Sequence, residues 1–305
     1  MNALVLGHKN PDTDSIVAAI AYAYVLNGRG ISATPVAQGS AAPETQFVLD
    51  KFNLNAPEVV SSVEGKNVYL VDYSDLAQAP EDLTKATILG IVDHHKLGDV
   101  TTDTPLECWI QPVGCTNTII KMIADYYNVA IEPAVAGAML CAILSDTVLF
   151  KSPTCTQLDI DAANALAKIA NVDDLEALGM EMFKAKSNLD ASPRDLIFRD
   201  FKDFDMGSKK IGIGQLEIIS LSMISPELKA QLKSELAVVK SEGRDSAILV
   251  LTDIMKEGSE ILVVSDDEDT VISALGATKS DCMWVDGIMS RKKQVVPPLQ
   301  AAFKA

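Results

Sequence analysis

Short apolar runs recur in the first hundred positions, and each breaks abruptly into polar residues. Ala3-Leu4-Val5-Leu6 runs into Gly7-His8-Lys9-Asn10-Pro11-Asp12-Thr13-Asp14, and Val68-Tyr69-Leu70-Val71 runs into Asp72. Thr87-Ile88-Leu89-Gly90-Ile91-Val92 runs into Asp93-His94-His95. Runs of this length and composition predict buried strands. Between them the pattern turns helical. Residues 16–26 are alanine-rich, with Asp14-Ser15 in front and Asn27-Gly28 behind, which predicts a capped helix with a glycine stop. A second strand is predicted over 31–36 and a short helix over 44–52. Helices are also predicted over 114–127 and 133–144, the latter buried because its composition is almost unbroken apolar. Strand–helix alternation implies an α/β domain with a doubly wound, mainly parallel sheet and right-handed crossovers.

The pattern loosens at Lys184-Ala185-Lys186-Ser187-Asn188-Leu189-Asp190-Ala191-Ser192-Pro193, a polar stretch that ends in a helix-start signal. We expect a first domain over 1–187, a linker over 188–193 and a smaller mixed α/β domain over 194–305. Strands over 210–218, 246–252 and 260–265 and a helix over 226–242 fill the second part. No internal repeat or low-complexity segment interrupts either.

In an open parallel sheet the carboxyl ends of the strands share one edge, where ligands bind at the switch in strand order. His8, Asp12, Asp14, Asp72, Asp93, His94 and His95 would all gather there. Each has an ordinary alternative: Asn10-Pro11-Asp12 suits a turn, and Asp14 could simply cap the next helix. Against this, the chain holds three histidines, and all lie in these strand-end loops. So much like charge in one place calls for bound cations. An extended Asp12–Asp14 loop would point both carboxylates the same way, one for each of two ions. Adjacent residues in an extended segment point apart, so His94 and His95 should take different roles, one on metal and one toward substrate. Asp146, at the end of an apolar helix, is costly unless paired or ligated. Positive charge comes late in the chain, in Ser290-Arg291-Lys292-Lys293-Gln294, where Arg291 suits bidentate phosphate binding.

Composition narrows the class. The chain has 305 residues, 48% hydrophobic and 22% charged, as expected of two soluble globular domains. No apolar run reaches the roughly 20 residues of a membrane span, and no export signal is visible. Five scattered cysteines without C-x-x-C spacing favour free thiols in the cytoplasm. A net charge of −16 argues against nucleic acid as a partner.

Taken together, these motifs resemble a known family. Asp93-His94-His95 with Gly7-His8-Lys9-Asn10-Pro11-Asp12-Thr13-Asp14-Ser15 looks like the DHH phosphoesterase superfamily. Ser290-Arg291-Lys292-Lys293-Gln294-Val295-Val296-Pro297 narrows it to the family II, manganese-dependent inorganic pyrophosphatases, whose second domain is of the DHHA2 type. Pro112-Val113-Gly114-Cys115-Thr116 and Phe150-Lys151-Ser152-Pro153-Thr154-Cys155-Thr156 also match that family. The resemblance implies an active site between the domains that hydrolyses pyrophosphate to two phosphates by attack of a metal-bridging hydroxide. His8 and Asp12 would hold one Mn²⁺, Asp14, His94 and Asp146 the other, and Asp72 would bridge them. His95 would face the leaving phosphate, while Lys202, Arg291 and Lys292 would bind phosphate. Co²⁺ or Mg²⁺ could substitute, a further Mg²⁺ would come with the substrate, and the domains would close over it. A homodimer through the first domain is also implied.

One departure stands out. The family's second motif is Asp-His-Asn-Glu, and this chain has Asp72-Tyr73-Ser74-Asp75, which keeps the aspartate and changes the residues expected around it. The rival within the superfamily is a phosphodiesterase or exopolyphosphatase acting on short oligonucleotides, cyclic dinucleotides or polyphosphate. Nucleotide-binding members carry Gly-Gly-Gly-His in the second domain, which is absent here. From another class, a metal-dependent binding protein with a degenerate site remains open, against which stands the complete ligand set.

Overall fold

Six short strands and the helices between them build the first part of the chain: β1 (Ala3–Leu6), α1 (Thr13–Gly28), β2 (Ala33–Ala37), α2 (Pro43–Lys51), β3 (Glu58–Val59) and β4 (Asn67–Val71). β5 (Thr87–Asp93), β6 (Glu107–Ile110), α3 (Thr116–Tyr126), α4 (Pro133–Asp146), α5 (Gln157–Ala170) and α6 (Leu175–Lys186) follow. This computed structural model describes residues 2–187, 189–280 and 282–303. Asn188, the first residue of the expected linker, lies outside them. The chain divides into two compact units, Met1–Met182 and Phe183–Ala305.

All pairings in the first sheet are parallel, in the order β3-β2-β1-β4-β5-β6. The order reverses between β1 and β4, which makes that pair the switch point. One sheet face is covered by α1 and α3, with α4 and α5 packed outside them. Leu6, Val36, Val68, Leu70 and Ile91 belong to a cluster with Tyr73 and Leu83, from the loops that close over it. α1 begins three residues earlier than its apolar pattern, because Asp12 is the cap and accepts the Ser15 N–H at 2.9 Å. Asp14 is therefore inside the first turn. α4 runs to Asp146 itself, two residues beyond its apolar pattern. Its Met139, Leu140, Ile143 and Leu144 are fully buried. At about 1.5–3 kcal/mol each, they hold the last turn in place despite the acid at its end.

The second unit carries α7 (Pro193–Phe198), β7 (Phe201–Met206), β8 (Lys209–Ile218), α8 (Pro226–Ser241), β9 (Ser246–Asp253), β10 (Gly258–Ser265), α9 (Glu268–Ala274), β11 (Trp284–Asp286) and α10 (Val296–Phe303). Its sheet has the order β11-β10-β9-β8-β7, antiparallel except for β8 beside β9, which α8 connects. Every residue of β9 is buried, so both sheet faces are covered. Ala247, Leu249 and Leu251 pack with Leu232 and Leu236 of α8, while Ile248 and Val250 pack with Val271 and Leu299 on the opposite face. Among the described residues no helix is long and apolar enough to cross a membrane.

Candidate metal centre

β1 passes through Gly7 into the loop that holds His8. A Cβ on Gly7 would collide with the Ser15 side chain and its carbonyl, so only glycine lets this loop cross the start of α1. At the end of β4, Asp72 has φ +67°, a left-handed conformation worth on the order of 1–2 kcal/mol of strain in a residue other than glycine. α4 ends just as sharply. Val148, Leu149 and Phe150 have φ of 48°, 53° and 65°, and Thr147 Oγ1 donates to the Ile143 carbonyl and accepts the Phe150 N–H.

These three strained or crowded turns bring the predicted ligands together. His8 Nε2 lies 3.3 Å from Asp72 Oδ2 and 3.5 Å from Asp12 Oδ2. On the other side of the same carboxylate, Asp72 Oδ1 is 3.4 Å from His94 Nε2. His94 Nε2 is also 3.8 Å from Asp146 Oδ2 and 3.9 Å from Asp14 Oδ2. Three ligand groups arise among the described residues: His8, Asp12 and Asp72; Asp72, His94 and His95; Asp14, Cys115 and Asp146. Lys202, Arg291 and Lys292 belong to the second unit.

The imidazole tautomers are settled by their outer contacts. His8 Nδ1 meets the Lys9 carbonyl at 2.6 Å and His94 Nδ1 meets the Val113 carbonyl at 3.0 Å. A carbonyl only accepts, so each Nδ1 carries a proton; a second proton on Nε2 would make the ring a counter-charge to the carboxylates, and its loss frees the Nε2 lone pair that ligates metal. His94 and His95 do not diverge as an extended segment would require. Their ring centroids are 4.4 Å apart, and His95 Nδ1 comes within 3.5 Å of Asp72 Oδ1. β5 ends at Asp93, so strand alternation stops before the histidine pair. Asp93 Oδ1 accepts from both the backbone N–H and Nδ1 of His95, each at 2.9 Å, and locks that ring as well.

Several partners of the acids left no mark in the sequence reading. Asp14 is held by the N-terminus of α3: Oδ2 accepts Thr116 N–H at 2.8 Å, and Oδ1 accepts the Asn117 side-chain amide at 2.6 Å and the Cys115 thiol at 2.9 Å. Thr116 Oγ1 donates to Asp72 Oδ1 at 3.0 Å. The block Pro112-Val113-Gly114-Cys115-Thr116 was the available signal, although its backbone donors carry no side-chain signature. Tyr73 lies in the apolar cluster on one face of the sheet, and its hydroxyl has no hydrogen-bond partner among the described residues. Ser74 instead ties the histidine loop to β4, accepting Gly98 N–H at 3.0 Å.

Charge divides the cluster. Burial would raise Asp72, but His8 and His94 outweigh it and hold its carboxyl well below the usual range. Asp12 is about half-exposed, and His8 at 3.5 Å brings its carboxyl to about 2. Burial and the neighbouring Asp72 push Asp14 up to about 6. Burial and Asp14 push Asp146 well above its ordinary value. Burial and Asp14 also push the Cys115 thiol well up. The facing nitrogen and oxygen atoms sit at 3.3–3.9 Å, longer than the roughly 2.7–2.9 Å of a close charged hydrogen bond. In an octahedron with ligands at about 2.1 Å, neighbouring ligand atoms are about 3 Å apart. The imidazole and carboxylate set therefore fits hard or borderline divalent ions such as Mn²⁺.

Comparison with known proteins agrees with this geometry. The model of the DHH family N-terminal domain matches residues 2–143, and that of the DHHA2 domain matches 180–302. The probable manganese-dependent inorganic pyrophosphatase of Archaeoglobus fulgidus is 48% identical over 98% of this chain and 97% of its own length. The manganese-dependent inorganic pyrophosphatase of Methanocaldococcus jannaschii is 44% identical over 98% of each chain. The chain belongs to the manganese-dependent inorganic pyrophosphatase family. A solved structure described as a family II inorganic pyrophosphatase of Methanococcus jannaschii superposes with a TM-score of 0.88 at 43% identity, covering all of both chains. Within this family frame, the cations of the second unit stand in different surroundings. Arg291 is buried, and its Nη1 donates to the carbonyls of Asp200 and Ile213 at 2.8 and 3.1 Å. Its Nη2 donates to Asp200 Oδ1 at 2.6 Å. Lys202 pairs in register with Ile213, next to this anchor, and Lys292 is exposed.

Proposed function

We propose that the chain hydrolyses inorganic pyrophosphate to two phosphates at a centre of two Mn²⁺ ions. The observation that carries this reading is Asp72, whose two oxygens face His8 at 3.3 Å and His94 at 3.4 Å on opposite sides of one carboxylate. His8 and Asp12 would hold one ion, Asp14, His94 and Asp146 the other, with Asp72 shared. When bound, the ions supply Lewis-acid stabilisation of phosphoryl oxygens and make water a nucleophile near neutral pH. The residues do the rest. His8 and His94 keep their Nδ1 protons on carbonyls and so stay neutral ligands. His95 keeps its Nδ1–H on Asp93, so it would act as imidazolium: the Nε2–H passes to the departing phosphate oxygen and the ring is left neutral with its Nδ1 proton in place. Lys202 and Lys292 would neutralise phosphate oxygens as charge shifts, and Arg291 would join them by exchanging Asp200 for phosphate. The same donors accept Co²⁺ or Mg²⁺, and a further Mg²⁺ accompanies the substrate.

A homodimer through the first unit fits this reading, because β6 is an edge strand and Tyr126, in the helix that follows it, is 67% exposed. All five cysteines are free thiols, which supports a cytoplasmic setting. The charge of −16 disfavours nucleic acid. Phosphate release from pyrophosphate, a dinucleotide and polyphosphate with Mn²⁺ tests the choice. Rapid turnover of pyrophosphate alone is expected; rapid turnover of the dinucleotide with none of pyrophosphate would refute it.

A further inference from the structure

Glu44 lies in the first turn of α2, an element that supplies none of the ligands above, and it is 4% exposed. One of its oxygens, Oε1, accepts the Thr13 hydroxyl at 2.8 Å and, in a very short contact, the Ser145 hydroxyl. Thr13 stands between Asp12 and Asp14 in the first turn of α1, and Ser145 immediately precedes Asp146 in the last turn of α4. With the Thr13 proton given to Glu44, Thr45 is the donor in its 3.0 Å contact with Thr13. Thr13 and Ser145 are 2% and 5% exposed and Thr45 is fully buried, so water does not compete for these bonds. A single carboxylate oxygen thus fastens two turns that are far apart in the chain, each bearing one acid of the Asp14–Asp146 pair. A carboxylate serving only the start of α2 would find its partners on α2 itself or in water. Here the Thr13 and Ser145 hydroxyls that Glu44 accepts are both neighbours of metal ligands.

We propose that Glu44 is a positioning residue for the Asp14–His94–Asp146 ion. It holds the two acids at the spacing the ion needs, against their mutual repulsion. The proposal rests on the reading that these residues hold an ion, and it concerns affinity for that ion rather than the reaction. Groups behind metal ligands change affinity by about 10- to 100-fold, and Glu44 acts on two ligands at once.

The test is a Mn²⁺ binding isotherm on chelated, full-length protein, with the electron paramagnetic resonance spectrum of the loaded ion pair as a second readout. Glu44→Leu is expected to weaken one ion by about 10- to 100-fold, leave the other unchanged and alter the spectrum of the coupled pair. Glu44→Gln retains an acceptor oxygen of the same shape and should recover most of the loss, whereas Ser145→Ala should reproduce part of it. Wild-type affinity for both ions in Glu44→Gln and Ser145→Ala, together with unchanged affinity in Glu44→Leu, would overturn the proposal whatever the melting temperature does. Equal weakening of both ions would overturn it too, since that marks general loosening. If Glu44→Leu fails to fold, Ser145→Ala decides alone: selective weakening of one ion supports the role and unchanged binding removes it. Wild-type protein that binds two ions without turning over pyrophosphate would sink the proposed reaction and leave Glu44 in place. Wild-type protein that binds a single ion would sink the centre and this role with it.

Discussion

The two halves of the acid cluster share Asp72 yet meet opposite fates. On one side, His8 faces Asp12 and Asp72 and keeps both carboxyls ionised, Asp12 at about 2. On the other, burial and the neighbouring Asp72 raise Asp14 to about 6, and burial and Asp14 raise Asp146 well above its ordinary value. The difference is one of counter-charge. The first half carries its own imidazole close to both acids, while the second has two acids, one imidazole and the N-terminus of α3. The second half is therefore the one that most needs a cation to be fully charged, and the one whose ion must displace protons.

The largest effect should come from the shared residue. Asp72→Ala removes a ligand from both ions, so metal analysis should find neither ion bound tightly and pyrophosphate turnover should fall to background. A mutant that stays active and fully loaded would remove the bridging role. Asp146→Asn separates the halves. It should bind one ion instead of two and lose most activity, yet melt higher than wild type when both are metal-free at neutral pH. The sign follows from linkage: a carboxyl whose folded value is raised favours the fold at low pH and loses that favour as pH rises through the folded value. Replacing it removes a penalty present at pH 7. Relief of about 1 kcal/mol would raise the midpoint by about 2 °C in a protein of this size. Asp72→Ala should move the metal-free midpoint the other way, because an acid with a lowered value contributes stability above its unfolded value.

The pH dependence sharpens the same contrast. As pH falls through about 6, the Asp14–Asp146 half takes up protons and its ion should weaken, by up to tenfold per pH unit for each proton displaced. Asp12 and Asp72 remain ionised there, so the other ion should respond less. Calorimetry in buffers of different ionisation enthalpy would show more protons released per ion at pH 6 than at pH 8, and equal release at both would contradict the division. The smallest effect belongs to Asp93→Asn. Metal content should stay at the wild-type level while kcat drops by about 10- to 100-fold, because the His95 ring loses the charged acceptor at 2.9 Å that fixes its tautomer.

The strand-end acids and all three histidines were legible in the sequence because each follows an apolar run and one sheet edge collects them. The parallel first sheet, the α/β character of the second unit and the apolar α4 followed from the same alternation. What stayed hidden has a physical cause in each case. Asp14 was read as lying before the helix, but Asp12 takes the cap and turns Asp14 inward. His94 and His95 were expected to point apart, but the strand ends one residue too soon for alternation to apply. Thr116 and Asn117 act partly through backbone N–H groups, which every residue has. Glu44 looks like any acid in a first helical turn until the fold brings Thr13 and Ser145 to it. Tyr73, expected around the metal ligands, packs into the core instead, so the departure at Tyr73-Ser74-Asp75 leaves the contacts of Asp72 with His8 and His94 in place.

The most direct measurement follows pyrophosphate turnover while Mn²⁺ is added back to chelated protein and the bound metal is counted. Turnover should stay near background with one ion per chain, rise with the second and level off at two. Full turnover with no ion or with one would contradict a centre built on the shared carboxylate of Asp72.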